Sequence, residues 1–129
     1  MSKLYIFRGL PGSGKSTAAK MLGIPHAEAD MFFMRDGQYV FDASLLGAAH
    51  AHCKRTVELM LDDGDAVVSN TFTTMKELKP YLELAAEKGV EVEVRRFTSN
   101  YGSVHNVPEE AMTRMRNRMV DFPGEKLIK

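Results

Sequence analysis

The chain has one cysteine, Cys53, among its 129 residues, which excludes an internal disulfide. Charge of one sign is also lacking in excess, since 17 Lys and Arg balance 17 Asp and Glu. Zero net charge argues against an extended surface that wraps nucleic acid, because such a surface needs surplus cations. A short contact with a strand end stays open. No apolar run approaches a membrane span in length. The first residues run straight into an apolar strand candidate, which leaves no room for a signal peptide. These absences point to a cytoplasmic protein with no membrane partner. Repeats and low-complexity segments are missing too, and 129 residues suit one domain, 1–129, with its own core.

What is present is concentrated near the start. Residues 9 to 16 read Gly9-Leu10-Pro11-Gly12-Ser13-Gly14-Lys15-Ser16, a complete G-x-x-x-x-G-K-[ST] phosphate-binding loop. The apolar run Leu4-Tyr5-Ile6-Phe7 precedes it and a helix-compatible stretch, Thr17 to Leu22, follows. Strand, glycine-rich loop and helix form the context that gives the motif meaning. Glycines let backbone N–H groups turn inward around a phosphate, and the helix aims its positive end at the same anion. Lys15 is expected to reach the β and γ phosphates of ATP and the Ser16 hydroxyl to ligand Mg²⁺, with the loop from Gly9 to Thr17 holding the nucleotide.

Periodicity orders the rest. Lys3–Phe7, His26–Asp30, Ala66–Asn70 and the alternating Val90, Val92, Val94 read as strands, the last with one wet face near a sheet edge. Ser44 is the expected N-cap of a long helix whose buried face carries Leu46, Ala49, Cys53, Val57 and Met60. Thr74-x-x-Glu77 is a capping box, and Pro80 should kink or restart its helix. Pro108 opens a last helix with Glu109 and Glu110 in its first turn and Met112, Met115 and Met119 as its stripe. Strands alternating with helices mean a parallel α/β sheet with right-handed crossovers. Ligands of such sheets sit at the carboxyl ends of the strands. The phosphate loop, Asp30 and Asn70-Thr71 should therefore meet in one crevice.

Phosphoryl transfer needs held phosphates, a bridging metal, an oriented nucleophile and a cation facing the developing charge. Asp30 is the candidate base for an attacking hydroxyl, the alternative being a turn cap. Arg114 and Arg118 share a helical face and could close as a lid, or form a solvated surface. Arg95, Arg96 and Arg116 fit a mixed charged surface. Phe32, Phe33, Tyr39 and Phe41, with Met31 and Met34, read as packing before base stacking. His50, His52 and His105 lack companions at zinc-ligand spacing.

Several motifs occur in order: Arg8 to Thr17, Glu28-Ala29-Asp30-Met31-Phe32-Phe33, Tyr39-Val40-Phe41, Ala49-His50 with Cys53, and Val67-Val68-Ser69-Asn70-Thr71-Phe72. Tyr81 with Leu84-Ala85 and Gly89, His105-Asn106-Val107-Pro108, and Met115-x-x-Arg118 follow. Across nearly its whole length the chain resembles small P-loop ATP-binding proteins related to 5′-polynucleotide kinases, common in bacteria and their viruses. The resemblance implies a minimal three-layer P-loop NTPase fold with a kinase-type parallel sheet of about four to five strands. It implies Asp30 as the base, Arg118 as the lid arginine with Arg114 beside it on a helix at about 108–120, and a 5′-hydroxyl of nucleic acid or nucleotide as acceptor.

Two departures stand out. Ser69-Asn70 occupies the end of the third strand where many P-loop proteins carry an aspartate, so Mg²⁺ would rest on Ser16, ATP oxygens and waters. About twenty residues follow Pro108, enough for a strand stub at Lys126-Leu127-Ile128 but not for a base-clasping loop and terminal helix. The leading expectation is an ATP-dependent kinase of a nucleic-acid or nucleotide hydroxyl. Kinases of hydroxymethylated bases in viral DNA or of small metabolites share the same site. A nucleotide-binding switch that hydrolyses ATP slowly or not at all is the reading from another class.

Overall fold

Alternation along the first strand decides how the layers are built. In the computed structural model, which describes residues 2–101 and 107–129, β1 (Lys3–Gly9) sends Leu4 and Ile6 to one side and Phe7 to the other. Successive side chains of a strand point to opposite faces, so both faces of β1 demand cover. The five-stranded sheet is parallel in the order β2 (His26–Ala27), β5 (Ala66–Asn70), β1, β6 (Glu91–Phe97) and β7 (Lys126–Ile128). Ile6 stands opposite Val68 on one side and Val94 on the other.

Two helices cover one face. α2 (Leu46–Asp63) contributes Ala49, Cys53, Val57 and Leu61, and α3 (Met75–Lys88) contributes Leu78, Tyr81, Leu84 and Ala85. They pack on Leu4, Ile6, Val68 and Val94. α1 (Lys15–Met21) covers the other face through Ala19, against Phe7, Val67 and Phe97. This is the three-layer α/β arrangement, with β5 between the first two strands of the sequence.

Several expectations are corrected. The second strand is only His26–Ala27; residues Ala29–Phe33, Asp30 included, form a 3-10 turn. Ser44 does not cap α2. Asp42 caps a short 3-10 turn (Ala43–Leu45) by accepting from the Ser44 amide and hydroxyl, and α2 starts at Leu46. Leu46 is exposed, because the stripe that faces the sheet runs through Leu61. Helix α3 continues through Pro80 as one element behind its Thr74–Glu77 capping box.

β6 is interior, since β7 pairs with Arg95–Phe97, although its first half lies beyond that short partner. Glu93 binds the sheet across three strands, accepting from Lys3 Nζ at 3.1 Å and Lys126 Nζ at 3.2 Å. Residues Asp36 and Gly37, at φ 51 and 81, form the turn between β3 (Met34–Arg35) and β4 (Gln38–Tyr39). Both left-handed positions suit the tight turn of an antiparallel pair. This hairpin stands outside the main sheet, and its Tyr39 packs against the core. Phe33 is buried and Phe32 and Tyr39 pack against the core as expected, but Met31, Met34 and Phe41 are between 42% and 51% exposed, contrary to the packing expected of them. The last helix, α4 (Glu109–Arg118), buries Met112. Its C-terminal end is tied down where Val120 N donates to Thr73 O at 2.9 Å.

Candidate functional site

The phosphate loop joins β1 to α1 in a conformation that few sequences allow. Gly12 and Gly14 adopt φ 82 and 92, a region costly for residues with a Cβ. A Cβ at Gly9 would lie 2.5 Å from Ser13 Oγ and 2.8 Å from the Phe97 carbonyl. Ser13 is buried, and its hydroxyl has no hydrogen-bond partner among the described residues. An orphaned hydroxyl in a loop of inward-facing amides fits a phosphate oxygen.

The loop borders a cavity of about 560 Å³. Beyond the loop, Ala18, Met21, Phe97, Tyr101 and Ile128 line it, with Thr17 and Lys129 as polar additions. The Tyr101 amide donates to the Gly12 carbonyl at 2.7 Å, which sets the aromatic ring beside Gly14. Tyr101 escaped the sequence reading, for which the only signal was an aromatic just past a strand end. β7 is the expected stub, yet it brings Ile128 and Lys129 to this cavity. Among the described residues this wall is mostly apolar and suits a flat base whose edge goes unread, because strong rejection needs buried polar groups that the wrong base leaves unpaired. ATP should therefore be preferred over GTP by less than roughly a hundredfold in a competition binding assay. A larger preference would reveal polar base contacts that this wall does not offer.

Charged groups gather on the side of the loop toward β2. Lys15 Nζ donates to the Leu10 carbonyl at 3.4 Å. Burial pushes its pKa down, while the charges of Glu28 and Asp30 pull it back up. Both carboxylates thus act on the loop lysine. Ser16 Oγ donates to Glu28 Oε2 at 2.7 Å, and Ser69 Oγ donates to the same oxygen at 2.8 Å. His26 Nε2 lies 2.6 Å from Ser69 Oγ. With Ser69 donating to Glu28, the consistent tautomer has His26 donating from Nε2. Burial lowers the His26 pKa, Glu28 works against that, and Lys20 adds to it. Glu28 therefore sets a carboxylate beside the Ser16 hydroxyl, although the third strand ends in Ser69-Asn70 without one. Its role rests on contacts 12 and 41 residues away, which no local pattern displays.

Asp30 is exposed in its turn and accepts from the Tyr39 hydroxyl at 3.3 Å. Burial, the Asp30 charge and this hydrogen bond push the Tyr39 phenol up to about 12, so it stays protonated as a donor. The Asn70 side chain accepts from the Ala29 amide at 2.8 Å, which fixes the turn one residue before Asp30 to the end of β5. Lys15, Ser16, Glu28, Asp30 and Asn70 are thus brought to the carboxyl ends of β1, β2 and β5. Arg114 and Arg118 are not brought to the phosphate loop by any described contact. Arg118 lies near enough to Glu77 at the start of α3 for its charge to lower that pKa. His105 and Asn106 of the expected motif lie outside the described residues.

No family model matches the chain. Human NEDD4-binding protein 2 is 31% identical over 144 aligned residues, covering 97% of this chain and 8% of that protein. Uncharacterized protein PM0531 of Pasteurella multocida (strain Pm70) is 27% identical over 147 residues, covering 99% of this chain and 82% of that one. Among solved structures, a gluconokinase from Sinorhizobium meliloti 1021 aligns with a TM-score of 0.66 at 13% identity, covering 98% of this chain and 81% of its own. The Mycobacterium tuberculosis APS kinase CysC (Cys556Ala mutant) aligns at 0.57 and 18%, covering 91% and 96%. A chain of the Pnkp1/Rnl/Hen1 RNA repair complex aligns at 0.62 and 18%, covering 95% of this chain and 40% of its own. The chain therefore has the α/β fold of the P-loop kinases.

Proposed function

We propose that the protein is an ATP-dependent kinase that transfers the γ-phosphate to a hydroxyl of a nucleic acid or nucleotide, in the manner of a 5′-polynucleotide kinase. The observation that carries this reading is the convergence of Lys15, Ser16, Glu28 and Asp30 beside one phosphate loop. A switch that only binds nucleotide has no use for a carboxylate placed to take a proton from an acceptor. In the proposed reaction Asp30 takes the proton of the acceptor hydroxyl, whose oxygen attacks the γ-phosphorus. The bond from that phosphorus to the β–γ bridging oxygen breaks and ADP leaves. Lys15 meets the charge that develops on the phosphoryl oxygens. Arg118, with Arg114, is the proposed second source of positive charge, carried on α4 as a lid over one domain spanning 1–129. The fold shared with a gluconokinase and an APS kinase at 13% and 18% identity agrees with this reaction class and leaves the acceptor to experiment.

The oxygen donors at the loop fit a hard cation. Ser16 and Glu28 would hold Mg²⁺, which when bound neutralises charge on the transferring phosphates. Glu28→Gln should raise the Mg²⁺ concentration needed for half-maximal ATP binding by about 10–100-fold. Ser16→Ala should act in the same direction. Titrating Mg²⁺ into protein and a fluorescent ATP analogue reads this without turnover. An unchanged requirement would leave Glu28 as a purely structural anchor for Ser69.

The test of the reading is a screen with γ-labelled ATP against 5′-hydroxyl oligonucleotides, hydroxymethyl-base DNA and nucleosides. Label is expected on at least one of these acceptors, and label appearing only as inorganic phosphate would return the chain to a switch or hydrolase.

A further inference from the structure

β5 ends beside the phosphate loop without a carboxylate, and its last two residues hold one that comes from elsewhere. β2 and β5 run in the register His26 with Val67 and Ala27 with Val68. The next step in that register brings Glu28 beside Ser69. Val67 belongs to the cluster on the α1 face of the sheet, and residues two apart on a strand share a face. Ser69 therefore faces the start of α1, where Ser16 stands. It is 1% exposed, so its hydroxyl takes its partners from inside the protein.

Those partners fix a direction. An ionised carboxylate only accepts, and a serine hydroxyl has one proton to give. Ser69 gives that proton to Glu28 Oε2 at 2.8 Å. His26 Nε2, 2.6 Å from Ser69 Oγ, is then the donor to Ser69, and an imidazole can donate from Nε2 whether neutral or charged. His26 Nε2 stands 3.6 Å from Glu28 Oε2, too far for a hydrogen bond. Its hydrogen bonding reaches the carboxylate only by way of Ser69. Glu28 precedes a 3-10 turn but makes no side-chain capping bond there, so its carboxylate is not engaged locally. The same Oε2 accepts the Ser16 proton at 2.7 Å. A hydroxyl whose proton is committed to a carboxylate keeps its lone pairs for a metal ion. The backbone beyond Glu28 is held too, because the Ala29 amide donates to Asn70 Oδ1 at 2.8 Å. Ser69 thus fixes the side chain of this segment and Asn70 its main chain.

We infer that Ser69 and His26 are positioning residues of the nucleotide site. The chain from His26 through Ser69 to Glu28 aims the carboxylate at Ser16, so that β5 takes from β2 the negative group that its own end lacks. This rests on the reading of the loop as a Mg²⁺–ATP site and is independent of the acceptor. A carboxylate on a flexible side chain serves a metal site only when its neighbours orient it, which is why such outer partners change metal affinity without touching the ion.

A double-mutant cycle tests this, with Mg²⁺ titrated into the full chain and a fluorescent ATP analogue. Ser69→Ala should raise the Mg²⁺ concentration for half-maximal binding by about tenfold. In a Glu28→Gln background the same substitution should add less than about twofold, because a residue that acts through Glu28 has nothing left to aim. His26→Leu should move the requirement in the same direction, and His26→Gln, which returns an N–H donor, should restore most of it. Should Ser69→Ala fail to fold, the two His26 variants carry the cycle in the same two backgrounds. An unchanged or lowered requirement, or an equal rise with and without Glu28, overturns the inference. So does a His26→Gln protein no better than His26→Leu, or a parent whose ATP binding ignores Mg²⁺. The γ-label screen reads the kinase separately. Coupling without label on any acceptor supports the positioning chain and removes the kinase, and label transfer without coupling does the opposite.

Discussion

Lys15→Ala is expected to lower phosphotransfer by at least about a thousandfold, the order lost when a preorganised charge on the transition state is removed. The protein should nevertheless stay folded. Burial lowers the Lys15 pKa, against the opposing pull of Glu28 and Asp30. A lysine whose folded pKa lies below its unfolded one opposes folding wherever the ammonium is charged in both states, which is at every pH below the folded value. The penalty fades as pH rises toward the unfolded value. Lys15→Met should therefore melt no lower than the parent at neutral pH, although it removes transfer. Label transfer from γ-labelled ATP and a thermal melt on the same samples decide the matter. Full transfer by Lys15→Ala would remove the phosphate loop from the chemistry, and a large fall in melting temperature would make Lys15 a structural residue.

Elements that bury an apolar stripe were legible in the chain. β1, β5, α2 and α3 follow their hydrophobic periods because each faces the core on its own. β2 was not, since two residues at a sheet edge are too few to show a period. Its shortness moved Asp30 from a strand end into a 3-10 turn. Asn70 holds that turn to β5 through the Ala29 amide, and the Asp30 charge acts on Lys15 from there. The exposure of Phe41, Met31 and Met34 was illegible for a different reason. Apolar character says that a side chain would gain from cover, but whether cover exists is decided by tertiary packing, which here reaches Phe33 fully and Phe41, Met31 and Met34 only in part. Arg8 shows the reverse. A charged residue inside β1 is 0% exposed because Glu125 and the Phe72 carbonyl, 117 and 64 residues away, receive it. The candidate site divides the same way. Its phosphate loop is a local motif, whereas Glu28 and Tyr101 take their places from tertiary contacts.

Asp30→Asn is expected to bind ATP as tightly as the parent and to lose transfer by about 10²–10⁴-fold, the range for removing a general base. The substitution is nearly isosteric, and an amide oxygen can still accept from the Tyr39 hydroxyl that now reaches Asp30 Oδ1 at 3.3 Å. The turn should keep its shape, since Asn70 holds the neighbouring Ala29 amide rather than the Asp30 side chain. What disappears is the ability to take a proton. Glu28 stands two residues earlier and also acts on Lys15, so the two carboxylates must be separated by what each variant changes. Glu28 is hydrogen-bonded to Ser16, and its replacement should move the Mg²⁺ requirement. Replacement of Asp30 should leave that requirement in place and slow the single-turnover rate of bound ATP. If Asp30→Asn instead weakened nucleotide binding while bound ATP turned over normally, Asp30 would be part of the nucleotide shell. The proton would then have to leave the acceptor by way of Glu28, the other carboxylate whose charge acts on Lys15.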